Sequence, residues 1–116
     1  MTQFDFGDGA GPVPAHQHPN GGGWVADTAH VDDTAYVGPY ALVYGNARVY
    51  GNAQVSGNAL VFGDARVYGD AQVSGTTEVS GDTRVSGDAQ VSGDARVSGY
   101  AQVSGYAQVS GDTVMT

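Results

Sequence analysis

Val43-Tyr44-Gly45-Asn46-Ala47-Arg48, Val49-Tyr50-Gly51-Asn52-Ala53-Gln54 and Val55-Ser56-Gly57-Asn58-Ala59-Leu60 are consecutive and follow one rule. Each unit reads valine, variable, glycine, Asn or Asp, Ala or Thr, variable. The unit repeats fifteen times from Val25 to Val114. A fixed short period overrides every other reading of secondary structure. In Ala47-Arg48-Val49-Tyr50 small, polar, apolar and aromatic side chains alternate. Side chains on a strand point to opposite faces in turn, so Ala47 and Val49 face inward while Arg48 and Tyr50 face outward. Gly51-Asn52 is then a corner, because glycine accepts positive φ and Asn or Asp tolerates it next best. Three strands and three corners close one triangular coil of eighteen residues, and fifteen units make about five coils. Coils pair in parallel at ~4.8 Å, for a stack roughly 24 Å tall.

The pattern V-x-G-[ND]-[AT]-x over residues 25–114 resembles the hexapeptide repeat of the left-handed parallel β-helix family. The resemblance implies an all-β, single-stranded, left-handed parallel β-helix. It implies little about activity, since that family includes acyltransferases, γ-class carbonic anhydrases and plain scaffolds. Its members are commonly trimers. The stretch from Gly11 to Trp24, joined to these repeats, also resembles uncharacterised hexapeptide-repeat proteins of bacteria and their phages.

The inward positions are almost all Val with Ala or Thr. A buried Val contributes roughly 1.5–3 kcal/mol, while ordering one residue's backbone costs about 1–2, so a single coil cannot stand alone and stacked coils can. Such a thin core holds no internal pocket, which puts any function on the outside or between chains. Two regions follow: an irregular N-terminal segment, 1–24, that covers the open first coil and takes part in binding, and the β-helix, 25–116.

The 116 residues carry a formal charge of -8 and contain no Cys. Zero cysteines exclude disulfides and zinc–thiolate sites. The acidity argues against binding of long nucleic acid. No apolar run reaches membrane-spanning length, and Met1-Thr2-Gln3-Phe4-Asp5-Phe6 lacks the basic start of a signal peptide. The reading is a cytoplasmic protein with no membrane association.

Outward residues sort into three faces. The first begins Trp24, Leu42, Tyr44, Leu60, Phe62, an apolar patch larger than a monomer usually exposes. Either residues 1–23 or a neighbouring subunit covers it, and a homotrimer interface through these five residues is expected, its three-fold ring closing by heterologous contact with the second face. The second face carries His30, Arg48, Tyr50, Arg66, Tyr68 and Arg84. Stacked arginines ~4.8 Å apart repel by roughly 3–4 kcal/mol per pair at an effective dielectric of 20. Asp64 and Asp82, two residues before Arg66 and Arg84, are one remedy and an anionic ligand is another. The third face is a Gln/Ser ladder.

The candidate binding set is Arg48 and Arg66 for charge, Tyr50 and Tyr68 for stacking, and His16, His18 and His30 as donors. The same histidines are the candidate metal ligands, a weaker reading because the carbonic anhydrases place theirs inside the coils. Gly7-Asp8-Gly9 and Gly21-Gly22-Gly23 offer backbone N–H groups to phosphate. The expected function is a non-enzymatic trimeric protein, with no cofactor, that binds or sequesters a small anionic, nucleotide-like ligand in clefts between subunits. A purely structural module and a carbonic-anhydrase-like or transferase-like enzyme are the alternatives.

Overall fold

A computed structural model describes residues 2–7 and 9–115 of the chain. Every element among them is a β-strand, eighteen in all. From Trp24 onward the chain winds as a parallel β-solenoid of about five turns. Its first turn holds β3 (Trp24–Ala26), β4 (His30–Val31) and β5 (Tyr36–Val37), and two-residue strands recur every six residues thereafter. Strands eighteen residues apart pair in parallel, so Leu42 aligns with Leu60, Arg48 with Arg66, and Gln54 with Gln72.

The winding is closed by one hydrogen-bond rule. A backbone N–H donates to the carbonyl seventeen residues later, as from Arg48 to Ala65 (2.9 Å) and from Tyr50 to Val67 (3.0 Å). Twelve valines from Val25 to Val97 have their side chains fully buried, with alanines and Thr77 and Thr83 between them. At the corners the glycine alone takes positive φ, and no described residue other than glycine does so anywhere. Contrary to the sequence expectation, the Asn or Asp after it does not share the left-handed conformation; its N–H ties the corner to the next coil, as Asn46 does to Gly63 (2.8 Å). Corners of successive coils are close enough that a Cβ on Gly63 would lie 2.9 Å from the Gly81 nitrogen, which excludes larger residues.

Residues 3–5 and 12–17 of the segment expected to be irregular are strands. β1 (Gln3–Asp5) and β2 (Pro12–Gln17) form an antiparallel hairpin, and β2 pairs antiparallel with β3, Ala15 opposite Ala26. The first face thus becomes an eight-stranded sheet, while the other two have five strands each. Alternating residues of Phe4-Asp5-Phe6 supply two rings to one side of the hairpin. Phe4 stacks on Trp24 (4.8 Å between centroids). Phe6 stacks on Tyr44 and Tyr44 on Phe62 (4.9 Å each). Ala26 stands one coil before Tyr44 in the same outward column, and its small side chain packs in one cluster with Phe6 and Tyr44, whose rings are both 7% exposed. The longest dimension, 39 Å, exceeds the coil stack because the hairpin prolongs one face.

The threonines at inward positions are not equivalent. Thr83 Oγ1 donates to the Ser80 carbonyl three residues back (2.6 Å), and Thr113 does the same to Ser110. Thr77 Oγ1 is fully buried and has no hydrogen-bond partner among the described residues. An unsatisfied buried hydroxyl costs about 1–3 kcal/mol. Thr77→Ala is expected to raise stability by about 1 kcal/mol relative to Thr83→Ala in urea unfolding. Phe6→Ala opens the top of the aromatic column, and hydrogen exchange at Phe4 and Val13 is expected to accelerate about tenfold or more while the Val61–Val97 amides keep their protection.

Candidate functional site

The in-register stacking of identical units turns each sequence position into a column along the solenoid. On the second face His30, Arg48, Arg66, Arg84 and Gln102 stand one above another. The corners that lead into this face carry Thr28, Asn46, Asp64, Asp82 and Tyr100. The two columns are the walls of an open surface groove of about 770 Å³. One wall presents guanidinium donors, and the other presents carboxylate and amide oxygens.

The expected pairing of Asp64 with Arg66 and of Asp82 with Arg84 does not form. Among the described residues the ion pairs are His16–Asp27 and His30–Asp32, and neither involves an arginine. Arg48 and Arg84 are exposed and Arg66 is half-buried, so water screens their mutual repulsion toward the ~1 kcal/mol limit of bulk solvent. No neutralising contact is therefore required, and the guanidinium N–H groups remain able to meet an anion.

The structure divides the other candidates. His30 lines the groove's N-terminal end, where its ring nitrogen hydrogen-bonds Asp32 (2.9 Å). Tyr50 and Tyr68 lie on the second face outside the groove walls. Their rings stack on each other at 4.8 Å and 1°, so each has one face occupied and no planar ligand fits between them. His16 is on β2, joined to Asp27 at 2.7 Å.

His18 is a correction. It is 2% exposed, and its Nε2 meets the Ala35 carbonyl at 2.8 Å, so it fastens the chain to the first turn and cannot face a ligand. Gly21-Gly22-Gly23 is another. The Gly22 N–H donates to His18 and the Gly23 N–H to Val37, which removes two of the three donors expected to hold phosphate. Gly21 and Gly23 serve close approach, since a Cβ on Gly23 would lie 2.3 Å from the Gly38 carbonyl oxygen, whereas Gly22 serves its positive φ of 84°. In the other glycine pair the Gly7 N–H bonds Asp5 (2.9 Å), and Asp8 lies outside the described residues. Among the described residues no three His, Cys, Asp or Glu side chains gather as a metal site would require.

The aromatic first face is served within the chain. Tyr44 is buried beneath the hairpin, and Trp24, Leu42, Leu60 and Phe62 are half-buried against the same cluster. The sequence reading had missed Tyr100, which closes the C-terminal end of the groove's corner wall and is 82% exposed. The signal was present: Tyr100 and Tyr106 stand where the repeat asks for Asn or Asp.

Six of the groove's residues, Asn46, Arg48, Asp64, Arg66, Tyr100 and Gln102, lie in segments that match a described repeat. Residues 41–55, 53–69, 61–75 and 89–105 match the family described as YdcK Beta solenoid repeat. Neither a curated protein nor a solved structure matches the chain. In sequence and in fold the chain is a β-solenoid repeat protein, similar in these four segments to the YdcK solenoid repeat.

Proposed function

We propose that this solenoid is a non-enzymatic binding module whose site is the second-face groove, and whose ligand is a small anion that also carries hydroxyl groups, such as a nucleotide or a phosphorylated sugar. The observation that carries the reading is the column Arg48–Arg66–Arg84, in register and without an ion pair among the described residues. A multiply charged anion gains from guanidiniums spaced ~4.8 Å apart. Asp64 and Asp82 on the facing wall accept hydrogen bonds from hydroxyls, so a ligand that carries them binds more tightly than one that is anionic on every side. Tyr100 offers an open ring face at one end, a role the sequence reading had given to Tyr50 and Tyr68. The groove is built from one chain, so binding needs no cleft between subunits. A chain of net charge -8 with a local basic column suits a small anion better than a long polymer.

Isothermal titration with ADP and with inorganic pyrophosphate tests this. Arg66→Ala is expected to weaken ADP binding tenfold or more, Tyr100→Ala to weaken ADP but not pyrophosphate, and His18 is to be left intact because its loss would loosen the fold. If the parent protein gives no heat and no rise in melting temperature with either compound, the module is structural only.

A second reading keeps the homotrimer, for which the supporting observation is that Leu60 and Phe62 stay partly exposed below the hairpin's reach. Sedimentation equilibrium at a mass of three chains would support it. A single species of 11.8 kDa would overturn it and leave the groove unaffected.

A further inference from the structure

The first turn of a parallel solenoid leaves three strand edges facing back toward the N-terminus. Two of them are paired by the residues that precede the coils. On the first face β2 lies against β3. On the third face the chain from His18 to Gly23 closes the edge of β5: Val37 N–H donates to Asn20, Val37 C=O accepts from Gly23, and Ala35 C=O accepts from the side chains of His18 and Asn20. The equivalent groups on the second face, six residues earlier, are the N–H and C=O of Val31 and the C=O of Ala29. Among the described residues none of these three has a hydrogen-bond partner, and β4 pairs only on its other side. Val31 is also partly exposed, whereas Val25 and Val37, its counterparts on the two closed edges, are at 0%.

Unpaired strand edges are a template for another strand, and folded proteins ordinarily cover or close them. We propose that the edge of β4 is a docking site for an extended segment of a partner protein that carries a β-branched residue over Val31 with basic residues on the side of Asp32 and Asp33. The inward residue would complete the burial of Val31, and backbone bonds to Val31 and Ala29 would supply the affinity, as in strand addition to other sheets. The basic residues follow from charge. Asp32 is the outward residue after Val31, and Asp33 follows it at the corner, exposed and in no ion pair among the described residues; His30, the outward residue before Val31, already bonds Asp32. The chain's own charge of -8 disfavours a second copy as the occupant. With only two residues in the edge strand, binding is expected to be weak and dependent on charge, hence sensitive to salt.

The probe is a blocked seven-residue peptide of alternating lysine and valine, with a glutamate–valine peptide for comparison. On binding the lysine peptide, exchange of the Val31 amide is expected to slow about tenfold, with chemical-shift changes confined to residues 29–33. Proline is tolerated where an edge N–H faces solvent. Val31→Pro is therefore expected to fold and to lose the interaction. Asp33→Lys, which leaves every backbone bond in place, is expected to weaken the lysine peptide severalfold and serves if the proline variant does not fold. Equal binding of the glutamate peptide would overturn the basic partner. An unchanged Val31 amide would overturn the site itself, and a Val31 amide already protected in a dimer would make a second copy the occupant, contrary to the proposal. ADP titration of the same sample reads the groove separately.

Discussion

Everything in this molecule depends on one interaction, the backbone bond from each coil to the carbonyl seventeen residues ahead. It can form around the whole circumference only if every coil has the same length and the same cross-section. Val and Ala at the inward positions keep the cross-section constant, and glycine lets the corners of successive coils approach without a Cβ between them. One larger inward residue would push neighbouring coils apart and break the ladder on both sides of it. The core is therefore uniform because the ladder demands it, and the uniformity leaves no room for an internal site.

The same constraint writes the outer surface as columns. A residue type repeated every eighteen positions becomes a stack, whether of rings, as in Tyr50 and Tyr68, or of charges, as in Arg48, Arg66 and Arg84. The groove is the meeting of two such columns, one from a strand and one from the corner before it. Its geometry is thus as rigid as the ladder that holds it, which favours a ligand bound without rearrangement. The N-terminal hairpin uses the same columns differently. Phe4 and Phe6 enter from outside the repeat and continue the aromatic stacks of the first face.

Much of this was legible in the sequence. The period gave the solenoid, the inward valines and the arginine column, because a fixed repeat leaves the backbone almost no alternatives. The sequence also posed the right question about the apolar first face. It could not choose between cover from the same chain and cover from a neighbour, since Phe4 and Phe6 suit either. The glycines at 21–23 read as a phosphate cradle because a flexible N–H donor and a close packing contact ask for the same residue. His18 read as a ligand for a similar reason: burial, not residue type, makes it structural.

What the sequence determined by itself is whatever repeats: the coil, the core and the alignment of side chains into columns, all consequences of local alternation and period. What only the tertiary structure decided lies outside the repeat. The hairpin joins the first sheet antiparallel, the loop from His18 closes the third, and among the described residues the second is left open at β4 beside the groove. Those outcomes turn on contacts between segments far apart in the chain, where packing and hydrogen-bond completion choose the partner and no local pattern records the choice.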